Sequence, residues 1–190
     1  MNSKKLTDDL KLLDCSRPCT GSASILLASQ EIAKKNTEMP IWITGIGQKT
    51  TSAGFTKNTS FSSMESTKLA GSTALNMANY DIKDIDVVEV HDAFSVCEPM
   101  ALESLGFSKS GGGVTMIKEL YETNNFKINP RGGLIGAGHP LGATGIAQTI
   151  EITQQLQSNA TNRQVNNAKI GLVHNMSAAA TSSTVLILEK

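Results

Sequence analysis

Short apolar runs alternate with helical segments along most of this chain, and no other feature limits its possible folds as much. Five such runs are predicted as β-strands, at residues 24–28, 41–47, 85–90, 169–174 and 184–189. Helical spacing of apolar residues and glycine stop signals predict helices at 30–36, 64–80, 95–105, 114–121 and 145–157. Strands that alternate with helices and end with two strands in succession indicate an α/β layered fold with a mixed sheet. The first strand stands upstream of an otherwise complete repeat, so we expect a preceding segment to be missing.

Composition and charge exclude several classes of protein. The 190 residues include 17 lysines and arginines and 17 aspartates and glutamates, which predicts neither a basic surface for nucleic acid nor an acidic disordered tail. No apolar run approaches the roughly 18–20 residues that cross a bilayer. The N-terminus also lacks the apolar region of a signal peptide. We therefore expect a cytoplasmic protein that contacts neither membrane nor nucleic acid.

The cysteines give little support for a disulfide framework or a metal centre. Cys15, Cys19 and Cys97 are odd in number and contain no CxxC pair. A metal or redox role for Cys15 and Cys19 would need further thiols or histidines nearby in sequence, and there are none. We predict no metal site and a reducing compartment.

Each of the three histidines lies at a predicted strand end or in a turn. His91 and His174 come where predicted strands finish, and His139 lies in a glycine-rich loop. In open α/β sheets, ligands bind beyond the carboxyl ends of strands. A structural role is an equally good interpretation for any single histidine in such a place. Three of them in similar positions favour a functional site.

The glycine-rich loop reads GGLIGAGHPLGATG at 132–145 and allows three interpretations. It could cradle a phosphate before a helix, although the spacing fits neither GxGxxG, because residue 141 is Leu141, nor a Walker loop. It could be a tight turn that needs glycine. In the third interpretation, Pro140 stiffens the backbone at His139, whose imidazole activates a thiol or donates to a developing oxyanion.

Three motifs together carry a family resemblance. HDAF at 91–94, NPRGGLIGAGHPLGATG at 129–145 and HNMSAAATSSTVLILEK at 174–190 resemble the C-terminal half of a thiolase, of the archaeal and sterol-carrier-protein-like branch. LLDCSRPCTGSASILLAS at 12–29 is similar to the segment that leads into the last strand of the thiolase N-terminal half. The GHP tripeptide favours a thiolase over a ketosynthase or a hydroxymethylglutaryl-CoA synthase on the same fold.

The resemblance implies a fold and a division of the chain. It implies the thiolase-like layered α/β fold, with a mixed five-stranded sheet and helices, plus the last strand of the N-terminal half. Residues 1–38 would be the end of that half, and residues 39–190 the C-terminal domain. A lone half exposes apolar surface, so we expect it to associate with a thiolase N-terminal-half chain or with copies of itself.

The resemblance also implies a reaction and its residues. Thiolases condense two acyl-CoA molecules or cleave a 3-ketoacyl-CoA, with a nucleophilic cysteine in the N-terminal half and a coenzyme A thioester as substrate, without a covalently bound cofactor. His139 would activate the nucleophile and help to bind the thioester oxygen. His91 would help to build an oxyanion hole, through a water molecule. The implied substrate-binding residues are Ser16, Ala93, Phe94, Gly138, Pro140, Asn175 and Met176.

Two departures from the family pattern put an active lone chain in doubt. The chain lacks the half that carries the nucleophile, and the second acid/base cysteine is absent both from the final turn and from HDAF, where relatives have HDCF. Cys97 could substitute for it, but a buried structural cysteine is the simpler interpretation. The usual glycines of the last turn are replaced by Ser177, Ala178 and Ala179. We expect a chain that is inactive alone, or alternatively a non-catalytic CoA-binding or scaffold subunit.

Overall fold

Most of the predicted strands and helices form close to the expected positions. A computed structural model describes residues 3–52 and 62–190. Its helices are α1 (Gln30–Asn36), α2 (Glu65–Ala78), α3 (Cys97–Leu105), α4 (Gly113–Glu122), α5 (Gly133–Ala137) and α6 (Thr144–Leu156). Its strands are β1 (Trp42–Thr50), β2 (Val87–Glu89), β3 (Ile170–Met176) and β4 (Ser182–Glu189). Within the described residues, no helix has the length and apolar character that crossing a membrane requires.

The strands form one mixed sheet in the order β1-β4-β3-β2. β4 is antiparallel to both of its neighbours, whereas β2 and β3 are parallel. This arrangement confirms the predicted α/β class with a mixed sheet. Because parallel strands end at the same edge of a sheet, His91, just beyond β2, lies beside His174 near the end of β3.

Helices cover both faces of this sheet and create two apolar clusters. On one face, α2 and α3 pack in a cluster that includes Val88 and Leu172. On the other face, α6 packs in a cluster that includes Val87 and Val173. Neighbouring residues of one strand therefore enter opposite clusters, as the two-residue period of a strand requires. The result is a three-layered unit with the histidines at one edge of its central layer.

The expected number of five strands is wrong for the described residues, which form four. The chain at Lys127–Asn129 does run beside β2, where Val88 donates to the carbonyl of Lys127 and accepts from the N–H of Asn129, both at 2.9 Å. This pairing is a single bridge between Val88 and Ile128. It ends at once because Asn129 has a positive φ of 46° and Pro130 has no N–H to donate.

The strand predicted at 24–28 is also absent, although helix α1 after it lies where it was expected. The backbone there forms no ladder, and Leu26 and Leu27 are 94% and 70% exposed. A strand needs a neighbouring strand for its N–H and C=O groups and a layer to cover its apolar face. Among the described residues, nothing provides either at this position.

Candidate functional site

Two histidines from distant parts of the sequence meet at the carboxyl edge of the sheet. His91 follows β2, and His139 lies in the loop between α5 and α6. Their ring centroids are 5.0 Å apart and their planes are nearly perpendicular, at 89°. His91 is buried and His139 is half-buried. The pair therefore has one protected member and one more accessible member.

The N-terminal segment joins the two loops that carry these histidines. The N–H of Ser16 donates to the carbonyl of Ala93 at 2.8 Å, and the N–H of His139 donates to the carbonyl of Arg17 at 2.9 Å. Two consecutive residues thus bind the HDAF loop and the GHP loop at the same time. Of the residues implied by the resemblance, Ser16 and Ala93 are brought next to His91 and His139 in this way.

The glycines of the loop make room for contacts within the chain. Gly138 has a φ of +88°, and a Cβ there would lie 2.8 Å from the sulfur of Cys19. At Gly133, which also has a positive φ of 62°, a Cβ would overlap the carboxylate of Asp92. Both positions therefore require glycine for conformation and for space. Pro140 in turn closes against Gly21, where a Cβ would lie 3.0 Å from its ring.

Asp92 holds the start of the glycine-rich loop rather than facing the two histidine rings as a free acid. It is buried, and its carboxylate accepts from the N–H of Leu134 at 2.6 Å and from the N–H of Ile135 at 3.5 Å. Burial raises the pKa of Asp92, and these backbone bonds oppose that rise. The residue next to His91 therefore fixes the helix turn that leads to His139.

Hydrogen bonds indicate where His139 carries its proton. Its Nδ1 lies 2.7 Å from Oγ1 of Thr144, and that hydroxyl donates to the carbonyl of Pro140 at 3.2 Å. The arrangement that satisfies both bonds has Nδ1–H of His139 donating to Thr144. Partial burial lowers the pKa of His139, so the neutral ring is favoured. Nε2 is then left as an unprotonated acceptor.

His91 is held by a side chain from β3. Nδ2 of Asn175 lies 3.0 Å from Nδ1 of His91 and also donates to Oε1 of Gln148 at 2.9 Å. Burial lowers the pKa of His91 to about 4, and the neighbouring His139 contributes to the same direction. His91 is therefore neutral at physiological pH. Asn175, implied as a substrate contact, has its amide nitrogen directed at His91 and Gln148.

The third histidine lies behind the pair, in the protein interior. His174 is fully buried, and burial lowers its pKa to about 3. Its Nδ1 accepts from the backbone N–H of His91 at 3.5 Å, and its Nε2 lies 3.0 Å from Oγ1 of Thr67. His174 therefore supports the backbone of His91, whereas His91, at the end of the neighbouring strand, contacts the ring of His139.

The other candidates occupy different surroundings. Phe94, the last residue of HDAF, has a side chain that is 44% exposed, whereas Met176 packs against the larger apolar cluster. Cys97 is half-buried in that cluster, and burial raises the pKa of its thiol. A raised thiol pKa opposes formation of the reactive thiolate. Among the described residues, no group of three metal-ligating side chains lies together.

Thr144 and Gln148 belong to the site but were not predicted from the sequence. Both lie on the buried side of α6, together with the polar residues Glu151 and Gln155. A helix whose buried face repeats polar side chains at helical spacing is unusual, because such groups need partners inside the protein. The sequence itself shows these polar residues at helical spacing, and that spacing is the signal that would have indicated Thr144 and Gln148.

Comparisons with known proteins identify the family of this chain. The family described as thiolase C-terminal domain-like matches residues 47–190. An acetyl-CoA acetyltransferase of Methanothermobacter thermautotrophicus is 36% identical over all of this chain and half of its own length. Sterol carrier protein 2 of Gallus gallus is 35% identical over 93% of this chain and 34% of its own length. Among solved structures, the Ltp2-ChsH2(DUF35) aldolase has a TM-score of 0.82 at 20% identity, covering 99% of this chain and 49% of that one.

The structural likeness shows the fold, and the sequence likenesses show the family. The chain spans about half the length of the acetyl-CoA acetyltransferase and a third of the sterol carrier protein. In both, the match includes the segments that form the His91 and His139 loops here. The chain therefore belongs to the thiolase family and corresponds to the C-terminal half of a thiolase.

Proposed function

We propose that this chain supplies the histidine half of a thiolase-type acyl-CoA acyltransferase. The observation that carries the proposal is the pair of neutral imidazoles, His91 and His139, at 5.0 Å on the carboxyl edge of the sheet. The nucleophilic cysteine would come from an N-terminal-half chain, and the substrate would be a coenzyme A thioester. The reaction is acetyl-CoA C-acetyltransferase or 3-ketoacyl-CoA thiolase chemistry.

His139 acts as the base in this proposal. Its Nδ1–H is engaged by Thr144, so the free lone pair lies on Nε2. Partial burial lowers the pKa of His139 and keeps that lone pair available near neutral pH. Nε2 takes the proton of the partner's thiol, and the thiolate attacks the thioester carbonyl. The proton then returns to the sulfur of the leaving coenzyme A.

His91 acts as a hydrogen-bond donor in the same reaction. A ring that burial keeps neutral still carries one N–H, and such a donor stabilises the negative charge on the carbonyl oxygen during attack. Its rigid support by Asn175 and by His174 means that little reorganisation is needed when the charge develops. We assign the path of the acyl and pantetheine groups to Ser16, Ala93, Phe94, Gly138 and Pro140, which lie in the segments that carry or join the two histidines.

The division of the chain supports the need for a partner. We assign residues 1–38 to the end of the N-terminal half and residues 39–190 to the C-terminal domain. In the first part, residues 24–28 form no ladder with any described strand and carry the exposed side chains of Leu26 and Leu27. An N-terminal-half chain that adds a sheet edge here would satisfy those backbone groups and cover the leucines. A second copy of the chain is the alternative partner.

One observation favours a second candidate, a non-catalytic CoA-binding or scaffold subunit. The acid/base cysteine of relatives is Ala93 here, and Cys97 is half-buried with a thiol pKa that burial raises. A subunit without that acid/base group could still bind a coenzyme A thioester through the same loops. Activity that depends on His139 supports the enzyme half, whereas complex formation without activity supports this candidate.

Steady-state thiolysis of acetoacetyl-CoA tests the proposal. The chain is assayed alone and with a thiolase N-terminal-half chain, as the wild type and as His139→Ala, His91→Ala and the exposed control Lys109→Ala. We expect no turnover by the chain alone, turnover by the pair, and a loss of about 10²–10⁴-fold in kcat for His139→Ala. Turnover by the chain alone overturns the proposal. A pair that assembles but stays inactive supports the scaffold candidate.

A further inference from the structure

We propose that Asn175 is a positioning residue that holds the proton of His91 on Nε2, so that this histidine can act only as a donor toward the site. The catalytic meaning of this inference rests on the proposed function, but the proton position itself does not. The proton position follows from two amide side chains in a line, whose orientation is fixed at one end by a backbone carbonyl.

The fixed end is the carbonyl of His174. The side-chain amide of Gln148 contacts that oxygen at 3.3 Å through Nε2. A carbonyl oxygen can only accept, so the contacting atom of Gln148 must be its NH₂ group. Gln148 is fully buried, so the reversed amide, with two oxygens facing each other, would raise the free energy of the folded chain. The orientation of this amide is therefore determined, with Oε1 on the side away from the carbonyl.

The next group in the line is Asn175. Oε1 of Gln148 accepts from Nδ2 of Asn175 at 2.9 Å, so the amide of Asn175 also has only one orientation that satisfies its contacts. The same Nδ2 lies 3.0 Å from Nδ1 of His91. An amide NH₂ has two hydrogens, and the two contacts use one each. Nδ1 of His91 is therefore an acceptor.

A neutral imidazole has one N–H, and an accepting Nδ1 places that hydrogen on Nε2. His139 has the opposite arrangement, because its Nδ1–H is given to Thr144 and its Nε2 is free. The two perpendicular rings are thus held in opposite tautomers, one with a donor and one with an acceptor available. An oxyanion donor needs an N–H and a thiol base needs a free lone pair, so the two tautomers match these two roles.

A second chain of hydrogen bonds fixes the backbone of His91 from the other side. It begins at the carbonyl of Ala180, which accepts from Ser66 at 2.6 Å. Ser66 then accepts from Ser183 at 2.7 Å, and Ser183 accepts from Thr67 at 2.9 Å. Each hydroxyl has one hydrogen, so every donor in this chain is determined as well.

The last link of that chain is His174. Because Thr67 donates to Ser183, its oxygen accepts from Nε2–H of His174 at 3.0 Å. Nδ1 of His174 is then free to accept from the backbone N–H of His91. Asn175 therefore fixes the ring of His91, and His174 fixes its backbone. Both residues belong to β3, and as neighbours in a strand they point to opposite faces of the sheet.

Nitrogen NMR of the full chain tests the inference without any activity assay. The three histidines are labelled with ¹⁵N, and two-bond ¹H–¹⁵N correlations at neutral pH distinguish the Nε2–H, Nδ1–H and charged rings. His91→Gln identifies the His91 signals. We expect Nε2–H at His91 and His174 and Nδ1–H at His139. An Nδ1–H tautomer at His91 in the wild type overturns the inference without any further variant.

Substitution of Asn175 makes the test specific. In Asn175→Asp, a carboxylate that can only accept replaces the amide donor, so His91 should switch to an Nδ1–H or charged ring. The exposed Asn166→Asp carries the same chemical change away from the site and should leave the His91 signals unchanged. A His91 ring that keeps the Nε2–H pattern in Asn175→Asp refutes the role of Asn175.

The reconstituted thiolysis assay adds a kinetic readout. Asn175→Asp should lower kcat by about 10-fold or more with a much smaller change in KM, because a donor is lost only where charge develops. If the reconstituted pair is inactive in the wild type, the proposed function fails while the NMR result still decides the tautomer. If the pair is active and the kcat of Asn175→Asp is unchanged, the tautomer has no part in catalysis.

Discussion

Glu89 lies two residues before His91 and carries a carboxyl group with no exposed surface. Its nearest opposite charge is Arg131, whose Nε is 3.6 Å from Oε2, too far for a good hydrogen bond. Burial raises the pKa of Glu89 to about 8, and Arg131 only partly opposes this rise. The strand that leads into the site therefore holds a protonated carboxyl group at neutral pH.

The protonated state of Glu89 predicts how stability depends on pH. The pKa of Glu89 in the folded chain, about 8, exceeds its usual value of 4.5, so the folded chain holds this proton more tightly than the unfolded chain. The stability that results is complete below pH 4.5 and is lost as the pH rises toward 8. Relative to Glu89→Gln, the wild type should lose up to ~1.4 kcal/mol of unfolding free energy per pH unit across that range. Urea unfolding at pH 5, 6.5 and 8 measures this difference. A wild-type unfolding free energy that, relative to Glu89→Gln, stays constant or rises with pH contradicts the raised pKa of Glu89.

The motifs predicted His91 and His139 and named Asn175 as a substrate contact, but they did not predict which groups orient the two histidines. Gln148 reaches the carbonyl of His174, 26 residues away, and Asn175 reaches His91 across 84 residues. Such contacts depend on how β3 and α6 lie in space, and no local pattern contains that information. The spacing of a motif indicates which residue types come together, whereas their tautomers depend on the packed structure.

At the scale of single elements, β1 and α2 approach unusually closely because β1 contains two glycines. A Cβ at Gly45 or Gly47 would overlap the carbonyl oxygens of Ala74 and Ala70 in α2. Neither glycine has a positive φ, so their value is the space they leave. The glycines of IWITGIG are therefore positions of close contact with α2.

This contact predicts the effect of enlarging Gly47. The Gly47→Ala variant should lose about 1–3 kcal/mol of unfolding free energy, because α2 must move away to make room for the new methyl group. Gly142→Ala is the matched control, since nothing lies within 4 Å of an added Cβ there, and it should change stability by less than about 0.5 kcal/mol. Urea denaturation compares the two. Equal stabilities for both variants would contradict the close packing of α2 on β1.

The strands that were predicted correctly are those whose partner strands lie within the chain. Strands β1, β3 and β4 pair with each other, so their apolar pattern was a sufficient signal. The run at 24–28 has the same apolar character but no partner strand among the described residues. Sequence pattern therefore identified a segment able to form a strand, but it could not supply the neighbour on which that strand depends.

At the scale of the whole molecule, the N-terminal segment leaves much apolar surface uncovered. Leu26 and Leu27 are accompanied by Leu12 and Ile32, which are also about half exposed. Exposed apolar side chains of this kind promote association in soluble proteins. Under the proposed function, an N-terminal half of the thiolase covers them.

This exposed segment predicts self-association of the isolated chain. Sedimentation velocity at increasing concentration should show oligomers for the wild type and a shift toward monomer for the double variant Leu26→Ser, Leu27→Ser. Val114→Ser, which changes an equally exposed apolar residue on α4, is the control and should behave as the wild type. A wild-type chain that remains monomeric at every concentration would contradict the need for a partner on this surface.

In the proposed function, His139 of this chain activates a cysteine on another chain. Intact-mass spectrometry of the partner half after brief exposure to acetyl-CoA measures this activation, because the acyl group would be carried on that cysteine. We expect an acetylated partner when wild-type chain is present, and little or none with His139→Ala or with the partner alone. Equal acetylation with the wild type and with His139→Ala would show that His139 does not activate the cysteine.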